Sequence, residues 1–354
     1  METYIWQQRG WPCLTWNFKE LSSVLGEVRN RQGRLAGKMS LLESDLKKEI
    51  FLKFTTFDII KSAELEGRML DRKAVSLSVA QQLKLGARRQ AIADPAIDRT
   101  VGVMVDTLLH FDQPVTEQRI LDWKKRLSAS GEEAEYRNTP LYRTEGNTEA
   151  FLCFRNASLI PDEMKRFIQW LNTAHATDPV IKAGVAHLRL RFIRPFEAGN
   201  GHVARTLTDL LLTRADRSPQ RLYSLSSQIC KQRDVYNRMM KKAQNGGLDI
   251  TEWLTWFLYC LETELVETEK SLMRVLEKSK FWEKYRLIRL NERQVKMINL
   301  LWESKDRSQL TSSYWANINL CSSDTALRDI QDLIRKNILR EKQSGRHITS
   351  YTLN

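Results

Sequence analysis

A chain of 354 residues with 42% hydrophobic content can bury a sizeable core, and its length suits two or three ordinary domains. Its 56 Lys and Arg against 43 Asp and Glu leave a formal charge of +13, which favours anionic partners: nucleotide, nucleic acid or an acidic protein face. No stretch reaches the roughly 20 apolar residues that cross a bilayer, and METYIWQQRGWPCLTW lacks a signal-peptide core, so a cytoplasmic protein with no membrane partner is expected.

Along the chain, apolar residues recur at helical spacing and strand alternation is scarce, which predicts an all-α protein. The run LSSVLGEVRNRQGRLAGKMSLLESDLKKEIFLKF opens it, and FDIIKSAELEGRMLDRKAV follows. DPAIDRT and HFDQPVTEQ each combine Pro with a helix-start residue. RNTPLYRTEGNTEAFLCFRNASLIPDE reads as an irregular or hairpin stretch, and KAQNGGLDITEW joins two helices. The end, SSYWANINLCSSDTALRDIQDLIRKNILREKQSGRHITSYTL, reads as helix, turn, helix and a two-stranded ribbon, the layout of a winged helix-turn-helix. Three parts are expected: an N-terminal helical domain over 1–105, a helical core over 106–275 and the terminal module over 276–354. Cys13, Cys153, Cys230, Cys260 and Cys321 form no CxxC pair and read as reduced thiols, with neither a disulfide framework nor a zinc site.

The segment RPFEAGNGHVAR, residues 194–205, carries the densest chemistry. A loop that wraps an anion needs residues without Cβ, so that backbone N–H groups can converge, and it gains from opening into a helix N-terminus. Gly199, Asn200 and Gly201, followed by Leu207, Leu210 and Leu211, meet both conditions, and Arg205 lies about one turn beyond Gly201. GNG is also a common turn, so these residues alone leave a plain turn open.

The stretch HLRLRFIRPFEAGNGHVARTLTDLLL resembles the signature of the Fic family, His-x-Phe-x-Asp/Glu-Gly-Asn-Gly-Arg-x-x-Arg. The resemblance implies an all-α core and AMP transfer from ATP to a hydroxyl of a target protein. Pro195, Phe196, Gly199, Asn200, Gly201 and Arg205 stand where the family has them, and three other positions depart. Arg194 takes the place of the general-base histidine, and a guanidinium cannot accept a proton. Ala198 replaces the carboxylate that holds Mg²⁺, leaving no metal ligand there. His202 replaces the first arginine. Glu197, one residue off, points elsewhere, and His187 reads as a packed histidine.

Upstream, Ser62, Glu66 and Gly67 match the Ser/Thr-x-x-x-Glu-Gly/Asn pattern of the family's inhibitory helix, whose glutamate pairs with the last signature arginine. The resemblance therefore implies a Glu66–Arg205 ion pair. The Trp-rich opening, with Trp6, Trp11 and Trp16, is similar to the N-terminal domain of one group of these proteins. LYRTEGNTEAFLCFRNASLIPDEMKRFIQWLN stands in the place of the target-docking β-hairpin flap.

In the terminal module, SSDTALRDIQDLIRKN supplies a serine cap, Leu327, Ile330 and Leu333 or Ile334 read as the buried stripe, and Thr325 and Arg328 as base-facing residues. Arg335, Lys336, Arg340, Lys342, Arg346 and His347 would meet phosphates. The leading expectation is a Fic-fold protein that keeps a phosphate pocket for ATP or a related nucleotide at Gly199, Asn200, Gly201, His202 and Arg205, gated by Glu66, with AMP transfer lost or altered and Mg²⁺ doubtful. An active adenylyltransferase or self-modifying enzyme using another base remains the first alternative. A DNA-binding regulator, with Thr325, Arg328 and Arg346 on DNA and the core as scaffold or sensor, remains the second; a homodimer is left open.

Overall fold

The structure is a computed structural model that describes residues 4–85, 94–128, 131–139, 156–173, 177–303, 310–344 and 348–354. The chain forms two compact units, Met1–Glu269 and Lys270–Asn354.

The first unit is built of helices: α1 (Phe18–Ser40), α2 (Ser44–Leu65), α3 (Arg72–Gln82), α4 (Pro95–Leu109), α5 (Glu117–Leu127), α6 (Ile160–Thr173), α7 (Pro179–Ile193), α8 (Asn200–Asp216), α9 (Leu225–Lys231) and α10 (Arg233–Gln244). The next helix, α11, spans Thr251–Lys284. Their starts follow from side-chain capping. Asn17, Asp71, Asp94, Thr116 and Asp178 each accept a backbone N–H of the first turn, and Pro95 and Pro179 occupy first-turn positions that have no hydrogen bond to lose.

Most of these helices bury one stripe, but α7 and α8 are buried nearly all round, as helices at the centre of a bundle must be. They pack against each other, with Val185, Leu188 and Leu190 of α7 and Leu207, Leu210 and Leu211 of α8 in the core. Gly184 sets how closely α7 meets the neighbouring side chains: a methyl there would lie 2.8 Å from Leu254 and 3.0 Å from Phe257. The segment read as the place of a hairpin flap is helical at its C-terminal end. Asn156 caps the turn at Ala157–Leu159, and Met164, Phe167 and Leu171 then recur at helical spacing and are buried. Residues 140–155 of that segment lie outside the described residues.

The second unit contains α12 (Glu292–Glu303), α13 (Ser312–Asn319), α14 (Ser323–Arg335) and an antiparallel ribbon of β1 (Leu339–Ser344) and β2 (Ile348–Leu353), in register from Leu339↔Leu353 to Ser344↔Ile348. Met297, Trp315, Ala326, Ile330, Leu333 and Tyr351 lie in its core. The stripe on α14 is thus Ala326, Ile330 and Leu333, spaced four and three apart, whereas Leu327 is 40% exposed. The serine cap of α14 is Ser322, which accepts from Thr325 N, and Thr325 is held in the cap by a 2.9 Å hydroxyl contact with Ser322. Arg346 and His347 lie outside the described residues.

Candidate functional site: a glycine cradle closed by a glutamate

The loop between α7 and α8 is shaped by three residues. Arg194 ends α7 in the left-handed conformation (φ 45°, ψ 65°), a costly position for a side-chain-bearing residue. Its carbonyl accepts from Arg137 Nε at 2.8 Å, and the Pro195 carbonyl accepts from Arg137 N at 2.8 Å, so the strap at Arg137 fixes the chain there. Asn200 then closes the loop: its Oδ1 accepts from Phe196 N at 2.9 Å and its Nδ2 donates to Phe196 O at 2.6 Å. Gly199 caps α8 at φ 74°, where glycine is unstrained.

Gly201 is required for a different reason. A methyl group on it would lie 3.0 Å from Arg191 Nη1, 3.2 Å from Arg205 Nη1 and 3.2 Å from Glu66 Oε1. Three charged groups from three helices therefore converge on the bare face of the first turn of α8. Arg205 Nη2 donates to Glu66 Oε1 at 2.8 Å and to Ser62 O at 3.0 Å, while its Nε donates to Ser62 Oγ at 3.2 Å. Ser62 and Glu66 thus reach Arg205 from the end of α2: Ser62 holds the guanidinium, Glu66 neutralises it, and Gly67 at φ 74° follows them as the chain leaves the helix. Burial pushes the Glu66 carboxyl up, but Arg205, with Arg191 adding to it, outweighs this and holds it below its ordinary value. The carboxylate stands at a helix N-terminus between two guanidiniums, an anion's position.

The positions that depart from the signature are informative in place. Ala198 is exposed and offers no donor to a metal. Glu197 is exposed and its carboxylate is engaged by Thr139 Oγ1 at 2.6 Å. Among the described residues no cluster of three His, Cys, Asp or Glu could hold a metal ion. His202 is buried, and burial together with Arg205 lowers it to about 3, leaving a neutral ring near pH 7.

His187 is fully buried and fully used. Thr208 Oγ1 donates its one proton to Ala204 O at 2.7 Å, so it accepts from His187 Nδ1 at 2.9 Å. Nε2 is then the lone-pair nitrogen, and Tyr236 Oη donates to it at 3.0 Å. Burial, with Arg191 adjacent, drives the ring well below its ordinary value. No nitrogen of His187 is left for a substrate proton.

Two cations at the cradle had no motif to announce them. Arg191 sits on α7 one turn before Arg194, a spacing that could have flagged it. Lys124 comes from α5, its stem 3.6 Å from the Cβ position of Gly199 and its ammonium 5.9 Å above the Phe196 ring, and nothing near it in sequence marks it.

Residues 114–212 match the family model described as Fic/DOC family, and residues 4–85, which include α2 and Glu66, match a domain of unknown function (DUF4172). Protein adenylyltransferase Fic of Drosophila virilis and of Drosophila melanogaster are each 36% identical over 104 residues, 29% of this chain and 20% of theirs. The chain thus spans a fifth of the length of the curated relatives it matches. A Fic family protein from Desulfovibrio desulfuricans G20 aligns with 97% of this chain and 98% of its own, at TM-score 0.56 and 16% identity. A Fic domain containing signaling protein from Bacteroides thetaiotaomicron covers 73% of this chain and 97% of its own, at TM-score 0.52 and 19% identity. At such identities the likeness is one of fold.

Proposed function

From the premise that this chain belongs to the Fic/DOC family through residues 114–212, we propose that it binds the phosphates of ATP or a related nucleotide at the cradle and has lost the AMP transfer of an adenylyltransferase. The observation that carries this reading is the Glu66 carboxylate standing over Gly201, 2.8 Å from Arg205, in a place suited to a phosphate. Gly199 and Gly201 supply the open backbone, Asn200 its shape, and Arg205 and Arg191 the charge, with Lys124 beside the loop and His202 packed beneath as a neutral ring. Glu66 competes with the ligand for Arg205 and is the gate.

Transfer needs a base that takes the proton of the incoming hydroxyl and a means of offsetting charge on the α and β phosphates. Arg194 cannot be that base, and both nitrogens of His187 are bonded within the core. An active enzyme that uses His187 as its base therefore has no support in this geometry. ATP contributes the phosphate charge, and the chain's own residues bind and orient it.

Calorimetric titration of ATP, with and without Mg²⁺, into the protein and into Glu66→Gly tests the reading. It expects binding that strengthens without Glu66 and changes little with Mg²⁺. Absence of binding in both proteins would refute it. The second unit supports a further reading as a DNA-binding module, because Arg328 on α14 and Arg340 and Lys342 on the ribbon are all exposed.

A further inference from the structure

Far from the cradle, a cavity of about 390 Å³ lies between the second half of α1 and the end of α8, within the size range of small-ligand sites. Leu35, Met39 and Leu222 form its apolar side. Its polar side is a relay with a fixed direction. Arg29 Nη1 donates to Gln32 Oε1 at 3.3 Å, Gln32 Nε2 donates to Tyr223 Oη at 2.7 Å, and Tyr223 donates its one proton to Asp216 Oδ1 at 3.1 Å. The relay ends on a carboxyl that lines the cavity, and among the described residues Asp216 Oδ2 takes no hydrogen bond.

The charges around Asp216 do not satisfy it. Arg29, facing it from α1, is spent on Asp178 Oδ2 at 3.0 Å and on Ala215 O at 3.1 Å. Arg221, facing it from the segment after α8, is locked between Asp58 at 2.6 Å and Asp209 at 2.9 Å. Each guanidinium already has its carboxylate, so the surplus charge at the cavity is that of Asp216. Burial accordingly pushes the Asp216 carboxyl up to about 7, against the pull of Tyr223, Arg221 and Arg29.

We propose that this cavity is a binding site for a small amphipathic amine, whose ammonium hydrogen-bonds Asp216 Oδ2 and whose hydrocarbon part lies against Leu35, Met39 and Leu222. A cation supplies the charge that the surrounding arginines do not, and the open oxygen accepts one of its N–H groups. The apolar wall selects a hydrocarbon body over a bare metal or ammonium ion. The site is independent of the cradle and needs no nucleotide.

The test is calorimetric titration of the full chain with n-hexylamine and, as its neutral counterpart, n-hexanol. The expected result at pH 8 is saturable hexylamine binding with about a tenfold or greater preference over hexanol, as one charge-assisted hydrogen bond provides. That preference shrinks at pH 6, where Asp216 is protonated. Asp216→Asn abolishes the preference while keeping the cavity. Gly33→Leu abolishes binding of both probes: a Cβ at Gly33 meets nothing within 4 Å, so the larger side chain extends into open space beside the cavity, and leucine favours the helix. Equal affinity for the two probes, a preference that survives Asp216→Asn, binding that survives Gly33→Leu, or no saturable hexylamine binding would each overturn the proposal.

Discussion

Replacing Glu66 by alanine isolates the gate. The side chain makes one charge-assisted hydrogen bond, to Arg205 Nη2 at 2.8 Å, with the guanidinium side chain 8% exposed and the carboxylate 27%. Such a bond contributes about 1.5–3 kcal/mol, and a nucleotide phosphate must break it before it can use Arg205. Removing it should tighten ATP binding by about tenfold to a hundredfold, since each 1.4 kcal/mol is a factor of ten. Arg205 stays in place in the variant, because Ser62 still accepts from its Nε at 3.2 Å and its Nη2 at 3.0 Å. The assay is calorimetry in Mg²⁺-free buffer at two salt concentrations, with Arg205→Met as a second background. In that background Glu66→Ala should produce a smaller gain, since Glu66 then has only Arg191 to contest. An affinity within twofold of the parent, or an equal gain in the Arg205→Met background, would refute the claim that Glu66 and phosphate compete for one guanidinium.

The buried triad Asp58–Arg221–Asp209 should be the most sensitive point of the first unit: Arg221→Met strands two buried carboxylates and should cost about 3 kcal/mol or more in denaturant unfolding. Stability should fall as pH rises from 4 towards 7, because burial holds Asp209, Asp216 and Glu264 each at about 7, so the folded state keeps protons that the unfolded chain has lost. Asp216→Asn should remove its share of that slope, up to about 4 kcal/mol as an upper bound, and a denaturation series over this pH range reads it. Restoring the signature with Arg194→His, Ala198→Asp and His202→Arg, together with Glu66→Gly, should yield labelled protein from α-labelled ATP only where a target still docks; labelling by the unrestored protein would contradict the loss of transfer. For the second unit, DNA retention should weaken steeply with salt and fall on Arg328→Ala with Arg340→Ala; salt-insensitive retention would count against it.

The legible parts of this chain were those in which a local rule and the tertiary structure agree. Asp94 before Pro95 announces a helix that exists, and GNG before an apolar run announces the turn into α8. The Glu66–Arg205 contact, across 139 positions, has no local signature and is legible only because two motifs occur in the order a known family has. Leu327 misled because a leucine fits the α14 pattern; Ala326 takes the inward position and leaves Leu327 in solvent. Residues 160–173 contain Pro161, which invites a turn, yet proline is at home in the first turn of a helix. Lys124 lay beyond reach because its role depends on where α5 packs.

The replacements at the cradle form a consistent set on the proposed reading. Without a carboxylate at 198 the charge of a bound phosphate falls to the guanidiniums, the Lys124 ammonium and the helix dipole. Arg191 and Arg205 then have to stand close together, and two like charges beside Gly201 repel unless an anion lies between them. Glu66 is that anion when no ligand is bound: its carboxyl lies below its ordinary value, lowered chiefly by Arg205 against the effect of burial, with Arg191 adding to it. The gate is therefore also the counter-ion of the empty site, and removing it should raise nucleotide affinity and lower the stability of the ligand-free protein together. Stability should likewise fall as pH drops below the ordinary carboxylate range and Glu66 takes up its proton, so acid and the Glu66→Ala substitution should act on the same step and not add.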